Sequence, residues 1–168
     1  VIDAAPGRRA SLGGEASFEG EARVHYRGYT SIRHPKRSFA VKLSDPSGDN
    51  LKASLLGMPK DHDWILYAPW PDKTLMRDVL AYELSNQMGH WAPRTRFVEL
   101  YASRTGARLS ANDYLGVYVL LEKIKRSKDR VNIQNLGPAD NEEPAITGGY
   151  ILKKDHDDKP DPRFMSAG

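Results

Sequence analysis

The decisive stretch reads WAPRTRFVELY over residues 91–101 and, after a short polar loop, YLGVYVLLEKIKRSKDRVNI over 114–133. Both segments alternate apolar and polar positions in the way of half-buried strands, expected at about 95–102 and 114–121. The second then breaks into Glu122-Lys123-Ile124-Lys125-Arg126, a basic run set directly against buried sheet. Two adjacent strands ending in a charged turn are a place where a sheet edge meets solvent and where a ligand can be read by backbone.

Outward from this pair, FEGEARVHY (18–26) alternates well enough for a strand. RSFAVKL (37–43) does so more cleanly, with Phe39, Val41 and Leu43 on one face and Ser38, Ala40 and Lys42 on the other. Between them lies the polar turn RGYTSIRHPKRS, and after them the turn cluster SDPSGDN. Leu51 to Met58 reads as a short helical piece stopped by Gly57 and Pro59, and DWILYAPW (63–70) as a buried strand ending in a proline bend. Asp72 then stands as N-cap of a long helix, KTLMRDVLAYELSNQMG. Leu75, Val79, Tyr82 and Asn86 run down one side, Leu80, Leu84 and Met88 extend the stripe, and Gly89 stops it. A helical or turn segment is expected at 124–136 and a strand at GGYILKK (148–154). The expected fold class is α+β, a mostly antiparallel sheet with one long helix.

The chain has 168 residues, enough for one ordinary domain. With 25 basic and 22 acidic residues its net charge is only +3, too balanced for the basic stripe of a nucleic-acid binder. It has no cysteine, which excludes disulfides and thiolate metal sites. No apolar run approaches the ~18 residues of a membrane span. Neither GxxxxGK[ST] nor GxGxxG nor HExxH occurs, and the histidines at 25, 34, 62, 90 and 156 are scattered, which argues against a histidine metal site or a Ser-His-Asp triad. The chain opens on VIDAAPGRR and closes on PDPRFMSAG, and both ends read as cut from a longer protein.

Several residues are candidates for binding chemistry. The turn Arg27-Gly28-Tyr29-Thr30-Ser31, with Lys36 beyond it, offers backbone N–H groups, hydroxyls and a point charge to an anion. The same spacing also fits a solvated hairpin. Period-2 geometry places Lys36 and Lys42 on one face, opposite Phe39 and Val41. Glu83, in the middle of the helix, could pin such a lysine or lie on the surface. Glu122 and Lys123 close the second strand, either as a hinge whose backbone meets a ligand or as a plain strand end. Asp155-His156-Asp157-Asp158 lacks the glycine and distal glutamate of a calcium loop and reads as a solvated loop.

Taken together, RGYTSIRHPKRSFAVKL, DWILYAPWPDKTLMRDVLAYELSNQMG, WAPRTRFVELY, YLGVYVLLEKIKRSKDRVNI and GGYILKKD resemble the CotH kinase family, named for spore-coat proteins, in that family's order over residues 24–155. The first block is the looser one, since RGNSS or RGNTS is usual where this chain has Arg27-Gly28-Tyr29-Thr30-Ser31. The resemblance implies an atypical protein-kinase-like fold that binds ATP and magnesium and phosphorylates serine in proteins, at the cell surface or outside it. It would place residues 18–121 in an amino-terminal lobe and 122–168 in a hinge and an incomplete second lobe. Arg27, Gly28, Ser31, Lys36, Lys42, Glu83, Glu122 and Lys123 would then surround the nucleotide, with the 72–88 helix in place of the kinase C-helix. A non-catalytic adhesion or interaction module is the competing expectation, and a polysaccharide-associated module a weaker one.

The family's catalytic and magnesium-binding aspartates lie in an Asp…Asn and a Trp-Asp-x-Asp segment, and none of Trp64, Trp70 and Trp91 is followed by Asp. The resemblance therefore places the catalytic residues downstream of Gly168. Those groups carry most of phosphoryl transfer. Residues 1–168 alone are expected to give no phosphate transfer from radiolabelled ATP to a serine peptide, and measurable turnover would refute the assignment of the missing groups.

Overall fold

The computed structural model describes residues 1–4 and 7–152. Five strands form one antiparallel sheet: β1 (Glu21–Arg27), β2 (Ser38–Ser44), β3 (Asp63–Tyr67), β4 (Thr95–Tyr101) and β5 (Tyr114–Glu122), in the spatial order β1-β2-β3-β5-β4. A single α-helix, α1 (Arg77–Gln87), connects β3 to β4. The architecture is α+β, as the alternation of the strands and the helical stripe predict. Contacts divide the chain into two compact units, residues 1–131 and 132–168. The sheet and α1 belong to the first. Among the described residues of the second, Ala145–Thr147 form a single 3-10 turn, and the Tyr150 hydroxyl donates to the Ile146 carbonyl at 2.8 Å.

Register divides the sheet into two faces, because cross-strand partners project to the same side. Phe39 pairs with Leu66 and Leu66 with Leu120, while Val41 pairs with Trp64 and Trp64 with Glu122. This face packs on the 51–58 segment in a cluster of Leu43, Leu55, Met58, Trp64 and Leu120. Trp64 and Met58 are each 1% exposed, so each contributes the ~1.5–3 kcal/mol of a fully buried large side chain. The opposite face carries Ile65, Val119 and Leu121, against which Tyr67 and Val79 of α1 rest.

Two local expectations are revised and one is narrowed. Residues 51–58 are not helical: they run beside residue 61 through an Ala53–Asp61 bridge and turn at Leu56, whose φ of 50° breaks any helix. Of the helix or turn expected at 124–136, residues 124–131 form the turn, with an Arg126–Val131 bridge. Residues 148–152, the described part of the expected 148–154 strand, do not form a strand.

The helix is also shorter than its apolar pattern. Leu75 takes φ 61°, a left-handed conformation costly for a branched side chain, so residues 73–76 form a turn and the helix starts at Arg77. Asp72 still organises the start: its carboxylate accepts from the Thr74 hydroxyl at 2.7 Å and from the backbone N–H groups of Thr74 and Arg77 at 3.0 and 2.9 Å. At the other end Gly89, with φ 82°, closes a Schellman motif in which Gly89 N–H donates to Asn86 O and His90 N–H to Ser85 O. Val79, Tyr82 and Asn86 face inward, whereas Met76, Leu80, Leu84 and Met88 are at least half exposed.

The Thr74 hydroxyl and then the Arg77 N–H hold the Asp72 carboxyl down at about 2. A depressed carboxyl contributes stability in full above its unfolded value of about 3.9 and loses it as pH falls through the folded value. Asp72→Ala is therefore expected to lower the melting temperature by a constant amount at neutral and mildly acidic pH. The gap to wild type should close as pH approaches about 2, as followed by far-UV circular dichroism. A gap that persists there would remove the carboxylate from the cap.

Candidate functional site: a cleft beside a buried charge network

At the start of β3 the chain reads Asp61-His62-Asp63, and the turn after β5 brings cations back onto it. Lys125 Nζ donates to Asp61 Oδ1 at 2.8 Å and to Asp63 Oδ2 at 2.7 Å. Arg130, 3% exposed, reaches Asp61 Oδ2 with Nε at 3.5 Å and stacks over Trp64. Glu122 is fully buried and receives Arg94 Nη1 at 2.8 Å and the Arg94 backbone N–H at 2.9 Å. Two arginines, one lysine and three carboxylates thus satisfy each other at one corner of the sheet, the condition under which charges tolerate burial.

Burial alone would raise the carboxyls of Asp61 and Asp63, but the Lys125 hydrogen bond overrides it and both lie below the usual range. Burial, then the nearby Lys125 charge, pushes His62 below its ordinary value, against the opposing pull of Asp63 and Asp61. His62 is therefore neutral at pH 7, and its approaches of 3.2 Å to Asp63 and 3.6 Å to Asp61 are contacts of a neutral ring rather than ion pairs.

Three potential ligand atoms of Asp61, His62 and Asp63 lie within 4.8 Å of one another. They do not fit a magnesium ion, because the Lys125 ammonium already stands between the two carboxylates and Arg130 holds the second oxygen of Asp61. Magnesium also demands an octahedron of oxygens, which an imidazole and two engaged carboxylates do not offer.

Beside this corner, on the α1 face of the sheet, opens a cleft of about 360 Å³. Ile65 and Leu121 form its apolar floor, Tyr67, Asp78 and Tyr82 one wall, and Arg27 and residues 122–124 its rim. Burial and then a hydrogen bond to Asp78 push the Tyr67 hydroxyl up to about 12. Tyr82 is raised by burial and by the Asp78 charge, with Arg27 opposing. Tyr67, Asp78, Tyr82 and Arg27 thus sense each other across the cleft, which presents an apolar base, two phenols, one carboxylate and two cations, Arg27 and Lys123.

The structure distributes the sequence candidates unevenly. Arg27, Glu122 and Lys123 line this cleft. Glu83 is exposed, accepts from Gln87 Nε2 at 2.8 Å, and lines a separate cavity of about 310 Å³ with Asn86, Arg94 and Arg96. Lys36 and Lys42 do not share a face. Lys36 precedes β2, donates to the Val117 carbonyl and lies 4.6 Å from the Tyr118 ring centroid, on the Phe39 side. Lys42 pairs with Asp63 on the α1 side, outside the cleft lining. In the turn after Arg27, Gly28 takes φ 110°, and a Cβ there would stand 1.9 Å from the Ser31 hydroxyl, so the glycine lets Ser31 fold over it. Residues 155–158 lie outside the described residues. The cleft is thus a candidate for binding, and no residue of it is assigned a catalytic role.

Arg94, Asp61, Asp63, Arg130 and Tyr67 are not singled out by the sequence, which shows Lys125 only within the basic run, Tyr82 only as part of the helix stripe and Asp78 only as a surface charge. A signal existed for the two buried aspartates: Asp-His-Asp immediately before an apolar strand places acids where they must be buried, and each such acid requires a cation from elsewhere in the chain.

The matched family model is described as CotH kinase protein and covers residues 24–167. The chain belongs to the CotH kinase family. No curated protein matches it at a significant level. The family match spans every strand except the first residues of β1, the whole of α1 and both sides of the cleft, so the geometry above is that of a CotH kinase family member.

Lys125→Met leaves Asp61 and Asp63 buried without their main partner, and burial then raises both carboxyls. In wild type their contribution is present above the unfolded value of about 3.9 and is lost only below it, as pH falls through the depressed folded values. In the variant the acid limb of the stability curve is expected to move to higher pH, with a loss of ~2 kcal/mol at neutral pH. Urea unfolding across pH checks this. An unmoved acid limb would show that Lys125 does not hold the carboxylates.

Proposed function

We propose that the cleft binds ATP and that the first unit serves as the nucleotide-holding, amino-terminal-lobe-like part of a protein kinase acting on serine residues of proteins. The observation that carries this reading is the composition of the cleft: an apolar floor of Ile65 and Leu121 with two tyrosines, the end of β5, and the cations Arg27 and Lys123 in its lining. A purine requires a flat apolar slot and a backbone edge, and its phosphates require cations at the mouth. Arg94 N–H bonds the Glu122 carboxylate in place of the Glu122 carbonyl, which leaves that carbonyl out of this pairing at the cleft rim. On this reading residues 122–124 act as the hinge, Arg27 meets the phosphates, and residues from 132 onward begin the second lobe.

ATP brings magnesium on its phosphates in such enzymes. The Asp61, His62 and Asp63 group is not assigned to that ion, since its charge is met by Lys125 and Arg130. What these residues contribute is the binding and orientation of the nucleotide, with Lys36 contributing to the stability of the sheet through Val117 and Tyr118.

Isothermal titration of the chain with ATP tests the proposal directly. Arg27→Ala is expected to weaken ATP binding about tenfold, the scale of one charge-assisted contact. Leu121→Trp, which fills the floor, is expected to abolish it. Lys36→Ala is expected to lower the melting temperature and leave ATP affinity unchanged. The reverse pattern, with Lys36 essential and Arg27 and Leu121 indifferent, would place the phosphates over the 28–36 turn instead.

A further inference from the structure

The register of β3 on β5 ends at Trp64–Glu122, so the next rung would pair Asp63 with Lys123. That rung does not close. The Asp63 N–H turns to the Asp61 carboxylate at 2.9 Å, and a single guanidinium enters the gap. Arg130 Nη1 donates to the Lys123 carbonyl at 2.9 Å and Nη2 to the Asp63 carbonyl at 2.8 Å. Its Nε lies 3.5 Å from Asp61 and 3.8 Å from Glu122, and its side chain is 1% exposed. The planar fork of arginine suits two parallel acceptors, where a lysine ammonium would act as one point charge.

The consequence falls on the cleft, because Lys123 and Ile124 line its rim. With its carbonyl clamped from within the sheet, Lys123 cannot turn that carbonyl toward a ligand, and the plane of the following peptide is set by the same clamp. We infer that Arg130 is a positioning residue: it holds the Lys123–Ile124 backbone in the orientation that reads the nucleotide base, without touching the ligand. This inference rests on the nucleotide reading of the cleft and adds to it a residue that governs base recognition and leaves the phosphates alone. The clamp is anchored at both ends of the network, by Asp61 before β3 and by Glu122 at the end of β5, so a shift in either strand would reach the rim through one side chain.

Two ligands separate a positioning role from a merely structural one. ATP carries base and phosphates, whereas tripolyphosphate carries phosphates alone. Arg130→Gln in the 168-residue chain is expected to weaken ATP binding about tenfold, the scale of a lost buried hydrogen bond, and to leave tripolyphosphate affinity unchanged. Arg130→Lys keeps the positive charge between Asp61 and Glu122 but cannot span both carbonyls, so it is expected to show the same loss for ATP alone, with a melting temperature closer to wild type. Equal losses for both ligands, unchanged ATP affinity in a folded variant, or failure of both variants to fold would each assign Arg130 to the fold and overturn the inference. A wild-type chain that binds tripolyphosphate but not ATP, or neither, would overturn the nucleotide reading itself, and the positioning role with it.

Discussion

The buried exchange of charge around Arg130 and Glu122 is the constraint on which this corner of the protein depends. Glu122 has no access to water, and a carboxylate there is tolerable only because Arg94 meets it with both a guanidinium and a backbone N–H. Arg130 is buried for a different reason: it closes a rung of sheet that the backbone leaves open. Removing any one member strands its partners in a low-dielectric interior, so the three segments that supply them, 61–63, 94 and 122–130, are locked as one unit. The strand order follows the same logic. β5 sits between β3 and β4, an interior place in which its end can be reached from both sides.

That corner also separates two kinds of cation. Lys125 and Arg130 are spent on carboxylates inside the network, whereas Arg27 and Lys123 remain on the cleft rim. A basic run such as Glu122-Lys123-Ile124-Lys125-Arg126 looks uniform in one dimension. In three dimensions its residues have different fates, because β5 ends at Glu122 and the chain then turns back through the Arg126–Val131 bridge. Lys123 is exposed and faces the cleft, while Lys125 turns inward to Asp61 and Asp63.

Much of the sheet was legible from period-2 alternation, and β2, β4 and β5 begin and end within a residue of where that pattern puts them. The turn-rich segments were not. Residues 51–58 carry helical spacing, yet Leu56 adopts a left-handed backbone so that Leu55 and Met58 can both enter the core. Tertiary burial outweighs a local preference of a few tenths of a kcal/mol per residue. The site was legible only in part for a similar reason. Arg27, Glu122 and Lys123 stand at or just beyond strand ends, positions that the alternation pattern marks. Tyr67, Asp78 and Arg130 come to it by packing and by long-range hydrogen bonds, which no short motif encodes.

The helix shows how a small backbone event decides which carboxylate meets the cleft. With Leu75 in a left-handed turn, α1 begins at Arg77 and docks through Val79. At about 100° per residue, Asp78 lies about 100° to one side of Val79 and Glu83 about 40° to the other. The helix axis therefore runs between them: Asp78, with Tyr82, borders the cleft, and Glu83, with Asn86, borders the neighbouring cavity. A glutamate in mid-helix is the natural candidate to pin a lysine, but Lys36 is engaged on the far face of the sheet, over Tyr118. The acid that helix geometry delivers to the cleft is Asp78, which lines it with Tyr67 and Tyr82. In this chain the helix thus meets the cleft with an acid at its first turn rather than at its centre.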